Sequence, residues 1–163
     1  MKANKMCAIL GNEHEYSGLM PLTENRPLST LYFDCKYRIM DFAISSAANA
    51  NIRTVYIILN EGRVKSVFDH LGGGREWGLD SIGSYQYLSF YQDILRQKAE
   101  GKDYYCNIID FLRKSKSAYT VFIGNKMLCN IDLRTVLNVH QSQDATMTAV
   151  FKRVCLLYTS DAA

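Results

Sequence analysis

The chain has 163 residues, 48% of them apolar and 21% charged, with a net charge of +3. That length supports one domain with a real core. The balance excludes a disordered chain and a basic nucleic-acid binder, because lysines and arginines are interleaved with acids. No apolar run approaches the roughly 18 residues of a membrane span, and the polar start before Met6 leads into too short an apolar stretch for a secretory signal. A cytoplasmic protein with no membrane partner is expected. The five cysteines form no CxxC pair and the three histidines are scattered, so reduced thiols and no bound metal are expected.

In chain order, Met6–Leu10 (MCAIL) is a short apolar run without period, like a strand buried on both faces. A loop rich in polar residues follows from Gly11 to Thr23. Ile39–Ala50 carries Ile39, Phe42, Ala43, Ser46 and Ala47 on one stripe, the spacing of an amphipathic helix. Thr54–Leu59 (TVYIIL) is β-branched and aromatic and stops at a turn signal. Arg63–Leu71 places Val64, Val67, Phe68 and Leu71 on one helical side.

Gly72-Gly73-Gly74-Arg75 lacks phosphate-loop spacing and follows a helix, so it reads as a helix end and loop. Trp77, Tyr85, Tyr87, Phe90 and Tyr91 form a dense aromatic cluster, read as a packed lid over a cleft or part of a subunit interface. Tyr105–Lys114 is a further helix with basic residues at its end. Ala118–Ile123 (AYTVFI) is another strand, ending at Gly124-Asn125. Asp132 is the expected cap of a helix over Leu133–His140, and Thr146–Phe151 (TMTAVF) reads as a last strand. Buried strands alternating with helices predict an α/β fold with a parallel sheet, whose ligands sit at the carboxyl ends of the strands. That directs attention to Gly11–Thr23 and Gly124–Asp132.

Pro21–Ile52 reads PLTENRPLSTLYFDCKYRIMDFAISSAANANI. The ordered set Pro21-Leu22-Thr23, Asn25-Arg26, Phe33, Lys36-Tyr37-Arg38, Asp41-Phe42, Ser45 and Asn49 resembles the N-terminal signature of bacterial glucose-1-phosphate adenylyltransferases (ADP-glucose pyrophosphorylases). VFIGNKMLCNIDLRTVLNVH resembles that family's second strand-end motif, and the likeness runs over roughly residues 6 to 153. The resemblance implies a Rossmann-like, glycosyltransferase-A-like nucleotidyltransferase fold in three layers, with a mostly parallel central sheet. It makes residues 1–153 the N-terminal part of that domain, with a C-terminal left-handed β-helix domain lying beyond this chain. Val154–Ala163 resembles the translation of a sequencing-adaptor read-through and is expected to be non-native.

The family's reaction joins ATP and glucose 1-phosphate into ADP-glucose and pyrophosphate, and needs cations, backbone donors and a metal carboxylate around the phosphates. Active relatives use ATP and Mg²⁺. Here Glu13 and Glu15 stand in the glycine-rich loop, and one carboxylate at about 4 Å from a phosphate charge would cost on the order of 4 kcal/mol at an effective dielectric of about 20. Gly18 takes the arginine position, Leu28 the lysine position and Asn125 the metal-aspartate position; Asp103–Asn107 replaces a glycine-led helix start. These departures imply a degenerate site with no catalytic residue. The chain then corresponds to the non-catalytic, regulatory D-type subunit of Firmicutes, which pairs with a catalytic subunit of the same fold, as a tetramer at full length. Gly11, Asn12, Lys36 and Arg38 remain as a vestigial nucleotide site, with no cofactor or metal expected to bind.

Other readings stand beside these. Lys36 and Arg38 bind an anion, or instead form structural salt bridges that include Asp41. Glu13, His14 and Glu15 read as a solvated loop rather than a metal site, and Asp132 as a cap rather than a substitute metal ligand. The rival functions are an active adenylyltransferase with an unorthodox loop and an unrelated α/β nucleotide-binding module.

Overall fold

The computed structural model describes residues 6–11, 17–60, 62 and 64–152. Asn12, Glu13, His14, Glu15, Arg63 and the segment 154–163 lie outside the described residues. The chain divides into two compact units, Met1–Ile131 and Asp132–Ala163.

The first unit is organised by four parallel strands: β1 (Met6–Leu10), β4 (Thr54–Leu59), β5 (Tyr85–Phe90) and β6 (Tyr119–Ile123). A two-stranded hairpin, β2 (Tyr32–Phe33) and β3 (Tyr37–Arg38), lies between the first two in sequence. The order across the sheet is β5-β4-β1-β6, with Ala8 opposite Val55, Ile57 opposite Leu88 and Leu10 opposite Ile123. The central strands β1 and β4 are buried at every position, as continuous apolar runs demand when helices cover both faces.

The helices follow from the connections. α1 (Met20–Thr23) is one turn, and α2 (Ile39–Asn49) carries the chain from β1 to β4. α3 (Lys65–Leu71) follows β4, while α4 (Tyr91–Ala99) and α5 (Cys106–Ser115) carry it from β5 back across to β6. The two crossovers run in opposite directions, so right-handedness puts α2 and α5 on opposite faces of the sheet. This is the three-layer α/β arrangement expected from the sequence. On the α5 face Phe111 packs into a cluster with Cys7, Ile9, Tyr56 and Ile58, joined at its edge by Tyr87, Tyr91 and Ile94. α2 buries Met40, Ala43, Ile44, Ser46 and Ala47, so the inward stripe is turned from the expected one: Ile39 and Phe42 are only half-buried, and Met40 and Ile44 take their place in the core.

Part of the aromatic cluster, Tyr87 and Tyr91, therefore belongs to the fold itself. Tyr85, Tyr87 and Phe90 are on β5, and Tyr87 lies edge-on to Phe111 at 5.4 Å between ring centres. Neither a lid nor an interface is needed to explain Tyr87 and Tyr91. Gly72 ends α3 with φ 48°, and Gly74 turns the chain with φ 74°, so the triple glycine is a helix end as read. The hairpin turn holds Asp34 and Cys35 at φ 51° and 59°, the left-handed region.

In the second unit α6 (Leu133–Ser142) starts on Asp132, whose carboxylate accepts from the backbone N–H groups of Arg134 and Thr135. The expected strand at Thr146–Phe151 is corrected: the segment is irregular, with Met147 and Phe151 more than four-fifths exposed. Its β-prone residues have no neighbouring strand among the described residues, and a strand without a partner leaves its backbone groups to solvent. No helix among the described residues is long and apolar enough to cross a membrane.

Candidate nucleotide site

The strand order locates the site. From β1 the chain first moves to β4 on one side and later places β6 on the other, so the topological switch point falls between β1 and β6. Ligands of open α/β sheets bind in that crevice, at the carboxyl ends of the strands. Gly11 stands at the end of β1, buried, and its N–H donates to the Ile123 carbonyl at 3.2 Å. Gly124 and Asn125 follow Ile123 directly. Both sequence-marked segments thus begin at one crevice. On the far side of β1, Gln92 at the start of α4 donates to Asn60 at the end of β4 (3.5 Å), tying those strand ends together.

Asn125 is 3% exposed, and its Oδ1 has no hydrogen-bond partner among the described residues. An orphaned buried acceptor costs on the order of 1–3 kcal/mol, so its retention calls for a reason. Sequence reading marked the position as a lost carboxylate; the orphaned oxygen is visible only in three dimensions.

The other marked positions lie elsewhere. Gly18 sits in a 3₁₀ turn (Ser17–Leu19), exposed, and a Cβ built there would meet nothing within 4 Å. There is room for a side chain at this position. Leu28 opens a 3₁₀ turn, Leu28–Thr30, and is half-buried.

Arg38 has partners within the domain. Its guanidinium donates to the Thr30 carbonyl at 2.7 Å and stacks 3.6 Å above the centre of the Tyr32 ring. Its backbone N–H donates to Asp41 Oδ2 at 2.9 Å, which caps α2. The other Asp41 oxygen meets His70 Nε2 at 2.5 Å. The structural reading of this motif thus holds in an altered form: the side-chain partner of Asp41 is His70 on α3, not Lys36 or the Arg38 guanidinium. Trp77 stands edge-on to His70 at 5.8 Å and donates its indole N–H to Ser45 Oγ.

Lys36 is exposed, with its ammonium 5.6 Å from the Tyr37 ring centre. It lines a cleft of about 740 Å³ along α2 with Asp41, Ser45, Arg53, His70 and Trp77. Gly11 and Asn125 are not among the residues lining this cleft.

With the geometry in view, comparison with known proteins becomes specific. The model of the nucleotidyl transferase family matches residues 17–155. The chain belongs to the nucleotidyl transferase family. Among curated relatives of this nucleotidyl transferase domain, the glycogen biosynthesis protein GlgD of Bacillus subtilis (strain 168) is 30% identical over 151 residues, covering 91% of this chain. GlgD of Geobacillus stearothermophilus is 29% identical over 153 residues, 92% of this chain. Glucose-1-phosphate adenylyltransferase 1 of Vibrio vulnificus (strain YJ016) is 28% identical over 153 residues, 90% of this chain. The chain spans 44% of the length of each GlgD protein and 36% of the Vibrio enzyme.

A nucleotidyl transferase domain of this kind invites a test for Mg²⁺. The ion takes hard, anionic oxygen ligands. At the crevice the described residues offer the neutral carboxamide of Asn125. The carboxylate of Asp132 is engaged by Arg134 N–H, Thr135 N–H and Thr135 Oγ1, the last at 2.8 Å. Those bonds, led by the Thr135 hydroxyl, hold its pKa below the usual carboxylate value. No group of three or more His, Cys, Asp or Glu is gathered for a metal among the described residues. The described residues of the crevice do not by themselves fit the ion; Glu13 and Glu15 of the adjoining loop lie outside them.

Proposed function

We propose that the protein carrying this chain is a regulatory, non-catalytic subunit of glucose-1-phosphate adenylyltransferase in glycogen biosynthesis. It acts in the cytoplasm through contact with a catalytic partner of the same fold, as a hetero-oligomer. The observation that carries this reading is the contrast within one domain. The Arg38–Asp41–His70 arrangement that shapes the entry to α2 is complete, whereas Asn125 stands buried and neutral at the switch point, where the transfer reaction needs a metal carboxylate. Empty space at Gly18 and an apolar Leu28 add the loss of two cations. Phosphoryl transfer rests almost wholly on electrostatic positioning, so these losses act together. Similarity to proteins named for glycogen biosynthesis and for adenylyl transfer to glucose 1-phosphate supports the pathway and the class of ligand.

The test uses the full-length protein with and without a catalytic adenylyltransferase subunit. The expected result is no ADP-glucose synthesis by the protein alone and altered kinetics of the partner when the two are mixed. Synthesis by the protein alone at an ordinary enzymatic rate refutes the regulatory reading and favours an active adenylyltransferase. Charge restoration is a second arm: Leu28→Lys with Asn125→Asp should raise nucleotide binding or activity if the rest of the site is intact.

A further inference from the structure

We infer that the cleft along α2 binds a neutral carbohydrate, the end of an α-glucan chain, with Trp77 and Tyr37 against its sugar rings and the charged side chains of the walls bonding its hydroxyls. This is a second site, lined by neither Gly11 nor Asn125. The class of ligand follows from the cleft; only the choice of an α-glucan as the sugar rests on the glycogen reading proposed above.

The size is right for a ligand: the cleft holds about 740 Å³, and small-molecule sites run from about 300 to 1,000 Å³. Its charge then narrows the chemistry. Besides His70, which meets Asp41, the walls carry two cations, Lys36 and Arg53, and two carboxylates, Asp41 and Glu76. A phosphate drawn in by Lys36 would enter the field of both carboxylates, and a like charge within about 4 Å costs on the order of 4 kcal/mol at an effective dielectric of about 20. An apolar ligand fares no better, since it would strip water from all these groups and return no hydrogen bond. A sugar meets both demands. Its hydroxyls donate to carboxylates and accept from ammonium and guanidinium groups, and its C–H faces lie on aromatic rings.

The aromatic wall is already set. Trp77 donates its indole N–H to Ser45 Oγ at 3.3 Å, its ring stands edge-on to His70, and its carbonyl accepts from Arg53 at 2.9 Å. The ring is half-buried, so one part is anchored while another borders the cleft. Tyr37 is 46% exposed, and Lys36 lies over its ring. Asp41 is fixed by the Arg38 N–H and by His70. Groups fixed before the ligand arrives lose little freedom on binding.

The test uses the full-length protein. Calorimetry measures maltotetraose, and electrophoresis through gels containing glycogen measures the polymer. Maltotetraose should bind with an affinity that does not change between low and high salt, and inorganic phosphate should not compete. Trp77→Ala should weaken binding tenfold or more. Glu76→Gln, at an exposed position, should weaken it at least threefold, and it decides the matter if Trp77→Ala does not fold. Retardation by glycogen alone would assign the site to the polymer, and binding of both probes to any free chain end. Binding of neither probe overturns the inference, as does displacement by phosphate or glucan binding unchanged in both variants. None of these outcomes touches the regulatory reading, which fails on ADP-glucose synthesis by the protein alone.

Discussion

Replacing His70 by alanine tests whether the KYRIMDF segment is held by the contact seen here. His70 Nε2 meets Asp41 Oδ1 at 2.5 Å, and the two side chains are 19% and 11% exposed. A hydrogen bond to a charged group contributes about 1.5–3 kcal/mol, and breaking a fully buried pair costs about 3–5. Asp41 borders the α2 cleft and keeps the Arg38 N–H at 2.9 Å, so water and one donor remain after the change. The lower range applies, and the expected loss is about 2 kcal/mol, or roughly 4–8 °C in melting temperature for a domain of this size. Asp41→Ala removes the helix cap as well and should cost about 3 kcal/mol. In the double variant the losses should fall short of their sum by about 1.5 kcal/mol, since each single change already abolishes the shared contact. Thermal unfolding of the four proteins measures this. Additive losses, or a His70→Ala shift below about 1 °C, would show that Asp41 and His70 do not hold the motif together.

Two further outcomes follow from local geometry. Gly74→Ala should destabilise by about 2–4 kcal/mol, because φ is 74° and the new Cβ would lie 1.7 Å from Gln86 Nε2 and 2.8 Å from Leu79 Cβ. Gly73→Ala next to it, in open space, should be within about 1 kcal/mol of neutral, with urea titration measuring both variants. The folded Asp132 carboxyl titrates below its ordinary value, so its capping contribution is present above that value and disappears as pH falls through the lowered one. Carboxyl chemical shifts should report the lowered midpoint, and Thr135→Val, which removes the leading hydrogen bond, should move it upward.

Three strands were legible in the sequence: two are buried throughout, and the third, at Ala118–Ile123, is half-exposed and was read from its β-branched and aromatic residues. Met6–Leu10 and Thr54–Leu59 read directly because every residue is apolar or β-prone and both faces are covered. β5 escaped notice because it is half-exposed and interrupted by Gln86 and Ser89, so its tyrosines looked like a patch instead of one row of a sheet. Thr146–Phe151 has the composition of a strand, but composition supplies no partner. At the site, the strand-end rule pointed to Gly11 and Asn125, and the structure puts one directly after β1 and the other just past β6. The partner of Asp41 was not, since His70 lies 29 positions away and α2 and α3 must first pack for the two to meet. The signature KYRIMDF reports a way of turning a corner: its arginine is stacked on Tyr32 and tied to Thr30, whatever chemistry the rest of the site retains.

The crevice between β1 and β6 also sets an order of events during synthesis. Its walls are strands whose paired residues, such as Cys7 and Thr120, are 113 positions apart. Closing so long a loop is the entropically dearest contact of the sheet, and pairings of that kind form late. β1 is made first and must wait, able to pair with β4 but with its other edge open, until Ile123 has left the ribosome. A chain cut anywhere before Tyr119 has no crevice at all. A ligand seated there would therefore favour only the molecules that had finished folding.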